Sequence, residues 1–207
     1  MKNKIALSAG LILLSGLGLA FAGTAATTST AGAATVRQED AKVREFKDIL
    51  FKLVRQDEYL DEAIETLDSS AGPADTQDIS ALGVSLKVIA KNLKHISALN
   101  KTEFASIQAG SALSKYTNTI LSYSRKVNRK VGQVNVLVAQ LAAKNKKASM
   151  RDAVTSRKGG KKVRGKNLTQ LLDEQKAVGE LAAVARSLGA ASRDLNASSK
   201  WLYIASQ

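Results

Sequence analysis

Large apolar side chains recur along this chain at alternating spacings of three and four residues, and that periodicity limits the fold more than any other feature. Val43, Phe46, Leu50, Leu53, Leu60, Ile64 and Leu67 form one such series, with Asp57 in its single polar slot. Spacings of three and four return to the same side of an α-helix, so residues 37–69 read as one amphipathic helix. Ser69, Ser70, Ala71, Gly72 and Pro73 then interrupt the pattern, and Asp75 or Thr76 can cap a second helix. Ile79, Leu82, Leu86, Ile89, Leu93 and Ile96 make the second stripe; the next slots hold Asn100 and Glu103, which predicts a bend or short turn at 100–102. Leu113, Tyr116, Ile120, Tyr123, Val127, Val134, Leu137 and Leu141 share a third register, broken only by Lys130, and predict a helix to about Ala143. The fourth helix is expected to open at Asn167, capped with help from Gln170, and to carry Leu171, Val178, Leu181, Val184, Leu188, Ala191, Leu195 and Leu202.

Each stripe needs a partner to cover it. Four of them predict an all-α fold, an antiparallel bundle of about four long helices forming one domain over residues 37–207. One uninterrupted helix from 76 to 143, flanked by the first and last, is the alternative packing. Stripes sustained at this spacing also permit coiled-coil self-association. The chain contains no cysteine, so neither disulfides nor thiolate chemistry contributes, and a single proline, Pro73, leaves long helices unbroken.

Residues 1–22 carry an export pattern: Lys2 and Lys4, an apolar stretch from Ile5 to Phe21, and the small-x-small exit Ala20, Phe21, Ala22. Cleavage before Gly23 is expected, which would leave the mature chain secreted or periplasmic; retention as an uncleaved membrane anchor is the competing reading. Residues 23–36, rich in Thr and Ala with no large side chain before Val36, read as a flexible leader.

Charge is concentrated rather than spread. The net charge is +13, and the window from Arg125 to Lys166 supplies that whole sum, with 14 Lys and Arg against Asp152 alone. Arg125, Lys126, Arg129 and Lys130 lie on the third helix, whereas Lys144, Lys146, Lys147, Arg151, Arg157, Lys158, Lys161, Lys162, Arg164 and Lys166 fall in a stretch, 144–166, that reads as a long basic loop. Like charges four apart on a helix repel one another, so these 14 residues are the candidate contact for a polyanion, either an anionic polymer or an anionic membrane surface. Nucleic acid could be held only through phosphates and without sequence preference, since the window has no Phe, Tyr, Trp or His on which bases could stack. A second reading needs no external ligand. Asp57, Glu58, Asp61, Glu62, Glu65 and Asp68 are six acids without a base between them; they can answer the cations within the molecule, or between copies in a self-assembling structural protein.

Nothing in the sequence composes a catalytic centre. His95 is the one histidine, so neither a His-based triad nor a multi-histidine metal site can be built. Asp57 with Asp61, and Glu58 with Glu62, have the spacing to share a divalent cation, but no calcium-loop pattern accompanies them. No cofactor, metal or small-molecule substrate is expected, and the reading is a non-enzymatic protein. Trp201 and Tyr203 are expected to pack at the core or edge. The triplets beginning at Asn100, Asn167 and Asn196 match the glycosylation pattern and coincide with expected helix ends.

Overall fold

The computed structural model describes residues 30–69, 76–107, 113–158 and 168–207. They form four helices: α1 (Thr30–Ser69), α2 (Thr76–Phe104), α3 (Ser114–Lys158) and α4 (Leu168–Ala205). The expected signal peptide at 1–22, the expected leader as far as residue 29, Asp75 and the expected cap at Asn167 lie outside the described residues.

The helices form a four-cornered bundle. α1 packs on α2 and α3, and α4 packs on α2 and α3, while α1 and α4, and α2 and α3, are diagonal. Side-chain contacts give the directions. Lys42 reaches Glu103 and Gln56 reaches Asn92, so α1 and α2 run antiparallel. Thr117 meets Ser206 and Asn128 meets Ser192, so α3 and α4 are antiparallel too. Asp57 and Asp61 meet Lys126 and Lys130 in rising order, which makes α1 and α3 parallel neighbours. Gly83 lies by Leu181 and Asn100 by Ser199, so α2 and α4 are parallel as well. Consecutive helices therefore alternate in direction, yet the chain crosses the bundle diagonal between α2 and α3.

The expected stripes supply the core. All six apolar residues of the α2 series are buried, as are Phe46, Leu53, Leu60 and Leu67 of α1, Ile120, Val127 and Val134 of α3, and Leu181, Leu188, Leu195 and Leu202 of α4. Each large side chain so buried contributes roughly 1.5–3 kcal/mol relative to exposure. The register drifts as an ideal helix must against a repeat of seven residues. Ile49 is buried where Leu50 is only partly so, Ala185 is buried beside a partly buried Val184, and Val131 and Val138 join the core of α3.

Three boundaries differ from the sequence expectations. α1 begins at Thr30, inside the expected leader, because Ala31, Ala33 and Ala34 have high intrinsic helix propensity and need no packing to prolong a helix already formed. The break expected at 100–102 falls after Phe104, where Ala105 and Ser106 donate to the carbonyls of Thr102 and Glu103. α2 continues through Asn100 and Glu103 because both polar slots are buried with partners on other helices. The basic stretch expected as a loop over 144–166 is helical as far as Lys158. No glycine or proline occurs between Lys144 and Lys158, and Lys, Arg, Ala and Met all favour helix. The discontinuity between α2 and α3 rules out a single helix from 76 to 143.

Candidate polyanion interface

Each polar slot of the apolar stripes finds a partner on another helix. Asp57 is buried on α1; Lys126 Nζ lies 2.5 Å from its Oδ2 and Lys130 Nζ 2.7 Å from its Oδ1. Lys130 also contacts Asp61 at 2.6 Å. Burial works against the Asp57 carboxylate, but hydrogen bonds and attraction from both ammonium groups outweigh it and hold its carboxyl below the ordinary range. Glu103 on α2 is met by Lys42 of α1 at 2.6 Å. Asn100 donates to Ser199 of α4 at 2.9 Å, and Ser97 donates to Asp194 at 2.6 Å. Two of the fourteen candidate cations, Lys126 and Lys130, are thus answered by the acidic run of α1, and ammonium groups occupy the place where Asp57 and Asp61 could have shared a metal ion.

The other candidates divide by position. Arg125, Arg129, Lys144, Lys146 and Lys147 are exposed, and no carboxylate among the described residues pairs with them. Arg151, Arg157 and Lys158 are carried on the last turns of α3. Lys161, Lys162, Arg164 and Lys166 lie outside the described residues.

Antiparallel packing adds three cations that the charge window did not contain. Arg186, Arg193 and Lys200 recur every seven residues, which places them on one side of α4, and all are exposed. That side borders α3: a Cβ at Gly189 would meet Asn135 Nδ2 at 3.1 Å and Arg193 Nη1 at 3.6 Å. Asn128 Oδ1 accepts from Ser192 at 2.8 Å, and Asn196 Oδ1 takes a longer bond, 3.5 Å, from Ser124. From Ser114 to Ala148 the third helix has no acid. From Leu181 onward α4 has only Asp194, whose carboxylate is turned to Ser97 and Lys101 of α2. Arg125, Arg129, Arg186, Arg193 and Lys200 therefore stand on an acid-free face of the α3–α4 pair. The seven-residue recurrence on the last helix was visible in the sequence; its adjacency to α3 was not.

Other features are local. Trp201, expected at the core or edge, is 60% exposed and with Phe104 flanks a groove of about 470 Å³ walled by the Lys101–Asp194 ion pair. His95 is exposed on α2. Asn100 is fully buried and Asn196 half-buried within α4, so both serve packing rather than presenting acceptor triplets to solvent; Asn167 lies outside the described residues. Among the described residues no group of three or more His, Asp or Glu side chains is arranged to hold a metal ion, and no helix is long and apolar enough to cross a membrane. Comparison with protein-family models, curated proteins and solved structures finds no match.

Proposed function

We propose that this chain is a non-enzymatic, exported helical-bundle protein that binds an anionic component of the cell envelope, or another polyanion, through the α3–α4 face and the basic end of α3. The observation that carries this reading is the acid-free face itself. Five unpaired cations from two helices, followed by Lys144, Lys146 and Lys147, repel one another at a cost in folding free energy that an anion laid across them would relieve. The export pattern at 1–22 favours an envelope or extracellular polymer over nucleic acid.

Binding of the mature chain to heparin, duplex DNA and anionic vesicles, measured across salt concentrations, tests the proposal. If five cations each displace a counterion, affinity falls by roughly two to three orders of magnitude between about 50 and about 200 mM salt. Failure of all three probes to bind at low salt refutes it.

A second reading keeps the same face but supplies its anions from another copy. Glu58, Glu62, Glu65 and Asp68 are exposed on α1 without an ion-pair partner among the described residues, and they suit a cationic face on a neighbour. Sedimentation separates the two: self-assembly predicts a salt-sensitive oligomer that becomes a monomer when Glu58, Glu62 and Glu65 are changed to Gln.

A further inference from the structure

The seam between α3 and α4 differs from the rest of the cationic surface in having a floor of carboxamides. Asn128, Asn135 and Asn196 are half-buried along it. Asn128 Oδ1 accepts from Ser192 at 2.8 Å, and its Nδ2 makes no hydrogen bond among the described residues. Arg125, three residues before Asn128, borders the seam on α3, Arg129 lies further round the same helix, and Arg193 borders it on α4. Gly132, four residues after Asn128 and three before Asn135, is exposed on the same side of α3, and a Cβ there would meet nothing within 4 Å.

We infer that this seam binds a sparsely charged acidic polysaccharide, a chain whose carboxylates are separated by neutral sugar. The inference rests on the polyanion reading and names the polymer. Guanidinium groups pair with carboxylate or sulfate through two parallel N–H donors, and amide N–H groups between them match the hydroxyl and ring oxygens of a sugar. Duplex DNA fits less well: it presents a charge about every 1.7 Å of its axis, and a floor of neutral amides leaves such charges unanswered. The residues from Arg125 to Ala148 include no aromatic ring on which unpaired bases could stack.

Gly132 supplies a test that leaves charge untouched. Gly132→Trp sets a bulky side chain beside Asn128 and Asn135, and replacing a helix-interior glycine at an unobstructed site preserves or raises stability. The full mature chain, Gly132→Trp and Arg125→Gln/Arg129→Gln/Arg193→Gln are titrated calorimetrically with hyaluronan oligosaccharides, heparin and duplex DNA, with thermal unfolding as a control on folding. Expected are hyaluronan binding by the parent chain, a loss of about tenfold or more in Gly132→Trp at an unchanged unfolding midpoint, and a comparable or larger loss in the triple variant. If heparin or DNA binds while hyaluronan does not, or if Gly132→Trp binds as the parent does, the seam assignment is overturned and the polyanion reading stands. If none of the three probes binds at low salt, both fall together.

Discussion

Asp57 and Lys130 are the polar intruders in two otherwise apolar stripes, and each turns out to be the other's partner. An isolated carboxylate buried as deeply as Asp57 would be costly, so the pair makes one relative placement of α1 and α3 far better than its neighbours. Asp57→Asn leaves Lys130, itself largely buried, with Asp61 alone, and a loss of about 3 kcal/mol is expected in urea denaturation. Asp57→Leu combined with Lys130→Met replaces the pair by apolar packing and should recover most of that loss, or all of it. Recovery with a lower unfolding cooperativity would show that the pair's role is to specify the register rather than to add stability. The same carboxylate predicts a pH dependence. Burial opposes its ionisation, yet Lys126 and Lys130 hold its folded-state pKa below the usual 3.8, and Ser97 followed by Lys101 does the same for Asp194. A depressed carboxyl pKa gives stability that is complete above the unfolded-state value and lost as pH falls through the folded one. Stability should therefore hold down to about pH 4 and drop below it, and Asp57→Asn should make that acid limb shallower in denaturation midpoints taken at intervals from pH 6 downward.

At the scale of elements, the polar positions also explain which helices became neighbours. Ser97 and Asn100 on α2 meet Asp194, Ser198 and Ser199 on α4, and this polar cluster within the packed layer, together with small residues such as Ala191, lets two parallel helices approach closely. The hydroxyls of Ser97 and Ser198 are 3.1 Å apart. In this cysteine-free chain, Ser97→Cys with Ser198→Cys should therefore form an intramolecular disulfide on mild oxidation, since bonded cysteines need their Cβ atoms roughly 3.5–4.5 Å apart. Ser97→Cys with Ser124→Cys spans the α2–α3 diagonal and should remain two free thiols. Non-reducing gels and thiol titration read both outcomes, and the opposite pattern would place α2 beside α3. The length of α3 belongs to this scale as well. Its last described buried residue is Val138, Leu141 and Ala142 pack partly against the core beyond it, and the helix continues to Lys158 through residues of high intrinsic helix propensity.

For the whole molecule, the uneven charge resolves into two faces with different roles. Where α1 lies along α3, acids and bases cancel through Asp57, Asp61, Lys126 and Lys130. Where α4 lies along α3 from Leu181 onward, cations accumulate and the one acid, Asp194, is turned to α2, and the proposed polymer contact is on that side. Much of this was legible beforehand. The stripes on α2 and α4 located helices and core because burial of apolar area is local in its demand: a side chain that must leave water marks its own side of its own helix. The cationic segment is legible from its charge, but the helical state of 144–158 is not, because a polar stretch offers no stripe to read. Nor is the addition of Arg186, Arg193 and Lys200 to the cationic side, since they come from a stretch far away in sequence. The sequence by itself determined the four helices, the apolar side of each and the excess of positive charge, since all three follow from residue type and spacing along a single segment. Only the tertiary structure decided that α1 and α4 flank α3 on opposite sides, and with that which cations are neutralised and which are left facing solvent, because an ion pair depends on distance in space and the diagonal crossing from α2 to α3 is written in no one segment.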